Sequence, residues 1–292
     1  MNVAVGVGFV EIADRVWVSR YDWFDQNITV VGGSRGLAVI DTRASAPAAR
    51  ECISDLRRAL NAEVVALINT HEHFDHVLGN ATFRATWPHA ELIAHEHAAR
   101  RTLPATEEIW AVYRQSPDER GADEVLATQP LTAESTFSMA RVLDLGDRVV
   151  ELVHPGRGHT GGDIVAWVPD VKVLAAGDLV EESPERGNAP GFGPESHPLE
   201  WPATLEFVLS MVTPEVCVVP GHGALVDREY VERQADDLSI IAETIKGLAE
   251  QGIPLNEALA AGQWPYPSHL LKAAVTSGYR DLPASSRRLP LV

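Results

Sequence analysis

The chain has 292 residues, 45% of them apolar and 22% charged, which suits one large domain or two modest ones and excludes a disordered composition. Its 41 acidic and 24 basic residues leave a net charge of -17. Nucleic acid and anionic membrane surfaces repel such a chain at long range, so neither is an expected partner.

Two cysteines, Cys52 and Cys217, are too few for a disulfide framework and read as buried free thiols. The start, MNVAVGVGFVEIADR, carries no basic segment and meets Glu11 early. No apolar run approaches membrane-spanning length. The expectation is a soluble, cytoplasmic protein.

In chain order, residues 8–19 are valine-rich and strand-like. NITVVGGSRGLAVIDT (27–42) reads as a β-hairpin, two apolar arms around a glycine-rich turn. Ala49, Ile53, Leu56 and Leu60 then recur at helical spacing, with Ser45 as cap and Pro47 in the first turn. EVVALINT (63–70) is a short buried strand, and ELIAHEHAARRTL (91–103) a strand running into a helix. Residues 104–135 read as helical or irregular.

Strands return at 148–156, 163–170, 171–178 and 215–221, linked by Gly/Pro/Asp turns. Residues 181–198 form a Pro/Gly-rich loop, long for a compact domain and a candidate lid over a cleft. From Asp227 to Gly252 a long amphipathic helix follows, and the remaining tail holds one or two short helices. The long helix offers a face to the core or to a second subunit, so a homodimer is one arrangement it allows. The expected organisation is a main domain over 1–225 and a helical extension over 226–292 packed on it. Both halves carry strands flanked by helices, and two packed mixed sheets with helices outside would cover every apolar face.

The chemistry concentrates in NTHEHFDHVLGN (69–80), where His71, His73, Asp75 and His76 fall within six residues. At a strand end, residues two apart point the same way, so His71 and His73 can reach one metal. Asp75 and His76, as the chain turns, can reach a second point nearby. Imidazole nitrogen and carboxylate oxygen are good zinc ligands. Three further candidates stand at strand ends beside glycines: His159 in HPGRGHTGGD, Asp178 in LAAGDLV and His222 in VVPGHG. Singly, each is an ordinary turn residue. Four ligand-type side chains in six residues are not explained by packing, because buried unpaired polar groups are costly.

These blocks, THEHFDH (70–76), GHTGGD (158–163), GD (177–178) and PGHG (220–223), resemble in order and separation the metallo-β-lactamase fold superfamily over about residues 8–225. The resemblance implies a four-layer αββα sandwich of two mixed β-sheets flanked by helices, with metals in a cleft at one edge. It implies one metal held by His71, His73 and His159, a second held by Asp75, His76 and His222, and Asp178 with a hydroxide bridging them. Asp41 resembles the aspartate that steadies this site, with Thr160 supporting it, and Asp75 would orient the hydroxide and accept its proton.

Asp178 stands where beta-lactamases of the superfamily generally have Cys or Ser, so β-lactam hydrolysis is not the expected native task. His73 stands where the flavodiiron branch has an acid, and the length lacks room for the nuclease branch's inserted domain. The ligand pattern is most similar to glyoxalase II and the lactonases, although residues 226–292 show no basic glutathione-binding pattern.

The expected function is hydrolysis of an ester, thioester, lactone or amide of a small molecule at two zinc ions. Alternatives are a glyoxalase II-like thioesterase, a mononuclear iron dioxygenase of the persulfide dioxygenase type, using His71, His73, His159 and Asp178, or a non-catalytic binding protein. Trp23, His154 and Trp201 are candidates for the substrate mouth from position alone.

Overall fold

The computed structural model describes residues 3–283. Seven strands form the first sheet in chain order: β1 (Val10–Ala13), β2 (Val16–Tyr21), β3 (Gln26–Gly33), β4 (Gly36–Ile40), β5 (Val64–Ile68), β6 (Glu91–His95) and β7 (Ser135–Phe137). β1 to β4 pair antiparallel, and β4 to β7 pair parallel. The second sheet holds β8 (Ala140–Asp144), β9 (Val149–Val153), β10 (Val165–Val168), β11 (Val173–Gly177) and β12 (Cys217–Pro220). β8 to β11 are antiparallel, and β12 lies parallel to β11 at the far edge.

Alternation along the strands divides the core into three layers. On β4, Leu37 and Val39 pack outward against α1 (Ala46–Ala59), while Ala38 and Ile40 face the second sheet. On β11, Val173 and Ala175 face the first sheet, while Leu174 and Ala176 point to the other outer layer. That outer layer contains α6 (Trp201–Met211), α7 (Arg228–Glu250), α8 (Leu255–Ala261) and α9 (Lys272–Asp281). The architecture is therefore an αββα sandwich. Central strands buried on both faces explain the unbroken apolar runs at 64–68 and 173–177.

Helix α1 starts where expected: Ser45 accepts a hydrogen bond from the Ala48 amide. After it come α2 (Phe74–Val77), α3 (Asn80–Thr86), α4 (Glu96–Gln115) and α5 (Ala122–Ala127). Several short elements were not read from the sequence, among them α2, α3, β7, β8 and α6. β8 alternates exposed and half-buried residues and has no apolar run, and α6 follows directly on the proline-rich loop. α4 continues through Pro104, a residue that normally weakens a helical signal.

Among the contacts that register the sheets are those of two buried side chains, Asn27 and Arg148. Asn27 on β3 donates its side-chain amide to the carbonyls of Pro220 and Gly223 at 3.0 and 2.9 Å. Buried Arg148 donates to the carboxylates of Asp170 and Asp14 and to the Asp14 carbonyl. No helix among the described residues is long and apolar enough to cross a membrane.

Leu238, Ile241 and Ile245 of α7 are buried in the same cluster as Val165 and Leu174 of the second sheet. Leu238→Ala is expected to cost about 3 kcal/mol, the usual loss for a leucine removed from a packed core. Urea unfolding followed by fluorescence and far-UV circular dichroism checks this. The whole transition shifts if the helices after 226 unfold with the sheets, and a separate early phase shows that they do not.

Candidate metal centre

The ends of β4, β5, β11 and β12 meet at one edge of the sandwich. The chain bends after β5 at residues 70–72, bringing in His71 and then His73, and the one-turn helix α2 carries Asp75 and His76. Asp41 follows β4 at a φ of 65°, a left-handed conformation that aspartate tolerates better than most residues. Its carboxylate accepts the Thr70 amide and hydroxyl, both at 2.8 Å. Gly177 ends β11 at a φ of 53° and turns Asp178 into the cleft. A Cβ on Gly221 would lie 1.8 Å from Asp178 Oδ1, so only glycine lets the end of β12 pass that carboxylate.

Five histidines converge here, and each has one ring nitrogen engaged on its outer side. His76 Nδ1 donates to Asp41 at 2.8 Å, and His71 Nδ1 to Thr70 Oγ1 at 3.0 Å. His73 Nε2 donates to Glu195 at 2.7 Å. His159 Nδ1 donates to the Gly191 carbonyl at 2.8 Å, and His222 Nδ1 to the Phe24 carbonyl at 2.7 Å. The remaining nitrogens point inward. With the carboxylates they form two groups: His71, His73, His159 and Asp178, then Asp75, His76 and His222, with ligand atoms within 4.8 Å of one another in each. Asp178 faces both groups. Its Oδ2 lies 3.5 Å from His159 Nε2 and 3.1 Å from His222 Nε2, and its Oδ1 lies 3.2 Å from His76 Nε2.

The donor set fits metal cations. His71 Nε2 and Asp178 Oδ1 are buried and have no hydrogen-bond partner among the described residues. His73 Nδ1 and His159 Nε2 sit 2.8 Å apart, as do lone-pair atoms that share one proton or one cation. Without a cation, protons fill this role. Burial opposes a charge on His73, yet the Glu195 hydrogen bond and carboxylate outweigh it and raise its pKa to about 9. Burial likewise opposes a charge on His222, and Asp178 with Asp75 raises it to about 9. His159 is pushed down to about 4 by burial and the charge of His73. Asp75 falls to about 2 because His76 and His222 outweigh its burial.

Comparison with known proteins accords with this geometry. The family model of the metallo-beta-lactamase superfamily matches residues 21–222, more than two thirds of the chain. The chain belongs to the metallo-beta-lactamase superfamily. Among its relatives, the metallo-beta-lactamase type 2 of Bacillus cereus is 28% identical over 230 residues, covering 76% of this chain and 78% of that protein. The fold is shared with the stereoselective inverting sec-alkylsulfatase Pisa1 from Pseudomonas sp. (TM-score 0.72, 16% identity, 94% of this chain and 49% of that one). It is shared too with the metallo-beta-lactamase FIM-1 from Pseudomonas aeruginosa in its mono-zinc form (TM-score 0.60, 18% identity, 80% of this chain and 95% of that one). The superfamily fold and the two His/Asp groups make this a metal-binding protein of hydrolase type.

The residues named for the substrate mouth sit elsewhere. Trp201 is fully buried, its indole donating to the Leu179 carbonyl and its ring 5.7 Å from that of His159. It backs a ligand and touches no open cleft. His154 donates Nδ1 to the Asp163 carbonyl and stacks on His95 at 4.2 Å, away from the cavities at the site. Trp23 lines a neighbouring cavity and stacks at 5.2 Å on Phe24, and it is Phe24 that fronts the ligands. Thr160 closes the turn beside His159: its amide and hydroxyl both bind Asp163 at 2.8 Å.

Sequence reading missed Glu195, Gly191 and Glu181. All lie in the 181–198 loop, which stood out in the sequence by its length and Pro/Gly content but not by any one of these residues. Glu181 is buried, with its pKa pushed up to about 7 by burial and by Asp178, and it holds the Gly191 amide at 2.7 Å.

Glu195→Ala is expected to weaken zinc binding about 10–100-fold, the usual effect of losing a carboxylate behind a ligand histidine, and Glu195→Gln less. Competition with a chromogenic chelator measures both. Zinc uptake must also expel protons from His73 and His222, whose pKa values of about 9 lie above neutrality, and from His76, where burial opposes the charge but Asp178 and Asp75 hold the pKa well above the usual imidazole range. Apparent affinity therefore rises steeply with pH from neutrality to about 9, by about tenfold per unit for each proton that leaves. A flat profile in the same titration contradicts the assigned protonation.

Proposed function

We propose that this protein is a dinuclear zinc hydrolase that cleaves an ester, thioester, lactone or amide of a small molecule. The observation that carries this reading is the position of Asp178 between two complete ligand groups, within 3.5 Å of histidines in both. A mononuclear iron dioxygenase needs only the first group, and the buried second group of Asp75, His76 and His222 has no role in it. Asp178 in place of the Cys or Ser of beta-lactamases directs the reading away from β-lactams, although the curated relatives bear that name.

Two bound zinc ions would polarise the substrate oxygen and lower the pKa of water toward 7. The chain's own residues arrange the rest. His71, His73 and His159 would hold one ion, and Asp75, His76 and His222 the other, with Asp178 between them. Asp75 Oδ2 lies 3.4 Å from both His76 Nε2 and His222 Nε2, which places a carboxylate beside the reaction centre to orient water and take its proton. Gln26 donates its side-chain amide to the Asp75 carbonyl, which fixes this turn.

Metal analysis of protein purified without added metal, with a hydrolysis screen on the same sample, tests the reading. About two zinc ions per chain are expected, and dialysis against a chelator removes activity that zinc restores. Asp75→Asn, which removes the charge of a ligand of the second ion together with the base, should lower kcat by at least about a hundredfold, with metal content measured on the same sample. His73→Ala should lose metal and activity together. One iron per chain, or hydrolysis surviving both substitutions, rejects the proposal.

A further inference from the structure

Two cavities of different character meet at Asp75. The first, about 740 Å³, opens over His159, Asp178 and His222, with Arg20, Arg120 and Arg186 on its walls. The second, about 300 Å³, lies between α4 and residues 194–195, walled by Phe74, Ala105, Ile109 and Val112. His73 and Asp75 close its inner end. His73 lines one cavity and His159 the other, and their facing nitrogens are 2.8 Å apart. The metal groups therefore sit at the junction, and a substrate reacting there sends one arm into each cavity.

The chemistry of the arms follows from the walls. The smaller cavity carries charged groups, Arg101 paired with Glu108 through two contacts of 3.0 Å and Glu72, Asp75 and Glu195 around His73, but Phe74, Ala105, Ile109 and Val112 give it a continuous apolar wall. Val112 is 56% exposed there, an apolar side chain left open on a helix face. An alkyl chain or ring gains by covering it.

In the larger cavity Arg20 makes a two-point contact with Asp25, through Nε and Nη2 at 2.5 and 2.6 Å. Arg120 contacts Asp22 through Nη1 at 2.7 Å, and Arg186 contacts Glu181 through Nη1 at 3.2 Å. A guanidinium has five donors, so both keep N–H groups for a ligand while their acids hold them in place. Asp22, Asp25 and Glu181 of the same wall are engaged by these arginines, and Asp75 and Asp178 belong to the metal groups, so the cavity offers an acidic group on the substrate free guanidinium donors rather than an excess of positive charge.

We propose, building on the hydrolase reading, that the substrate is an amphipathic anion. Its apolar acyl group fills the cavity under α4, its scissile bond lies at the Asp75–Asp178 junction, and its acidic group is held by Arg186 and Arg120.

Three esters test this: 4-octanoyloxybenzoate, its uncharged counterpart phenyl octanoate, and its short counterpart 4-acetoxybenzoate. The first should exceed each of the others about tenfold in kcat/KM. Ile109→Glu, or the more exposed Val112→Glu if the first fails to fold, should erase the chain-length ratio. The Arg120→Gln, Arg186→Gln double variant should erase the charge ratio. Calorimetry with the unreactive ether 4-octyloxybenzoate on the metal-free chain reads binding alone, and the same variants should weaken it about tenfold. Equal rates on all three esters, or ether binding indifferent to the variants, overturn the amphipathic substrate and leave the hydrolase standing. Ether binding that responds as stated, with no ester cleaved by the two-zinc protein, overturns the hydrolase reading and not the bipartite cleft.

Discussion

The site depends on one interaction made five times: each histidine gives one ring nitrogen to a fixed acceptor, and so must present the other to the centre. An imidazole without that outer bond can flip, change tautomer or protonate, and each of these ends its use as a ligand. The acceptors come from distant segments: Asp41 after β4, Thr70 after β5, Phe24 before β3, and Gly191 and Glu195 from the loop before α6. Ligand geometry is therefore set by how the two sheets register. Asn27 makes that coupling direct, since it ties β3 to the turn that carries His222.

The same convergence gathers acids that no folded chain would assemble in a dry edge without reason. Asp41, Asp75, Asp163, Asp178 and Glu181 are all buried. Glu72, between two ligand histidines, has both carboxylate oxygens buried without a hydrogen-bond partner among the described residues. Burial pushes Asp163 up to about 7, as expected where negative charge is crowded and desolvated. Cations at the centre offset this crowding, so metal binding and folding free energy are linked. The acidity of the whole chain, -17, adds a long-range field that draws divalent cations toward the fold, while the arginines of the larger cavity are paired with acids of the same wall.

The seven candidate ligands were legible in the sequence because four crowd into six residues after β5 and the other three stand beside glycines in the order and spacing of the family's blocks. The layering was legible because runs such as VLAAG read as strands covered on both sides. What surrounds the ligands was not legible. Trp201 was a candidate for the substrate mouth from position alone, but α6 turns it inward behind His159. Glu195 is one carboxylate among 41 acidic residues, and its role arises only when a loop distant in sequence folds over His73 at 2.7 Å. Side chains that act through tertiary contact leave no periodic trace.

The loop at 181–198 joins these strands of argument. As a lid it would only open and close, yet its atoms bind His73 and His159 from behind, and both contacts are part of the ligand geometry. Glu195 also lines the apolar cavity, and Gly191 and Arg186 line the polar one. One segment thus fixes the electron-pair direction of two ligands and shapes both arms of the cleft. A change of substrate preference made by altering this loop cannot be independent of metal affinity, because the residues that would recognise the substrate share a backbone with those that aim the histidines. Specificity that evolves through α4 escapes this constraint, since Ile109 and Val112 touch the cavity from a helix that supplies no ligand. The apolar arm is therefore the part of the cleft free to vary while the chemistry stays fixed.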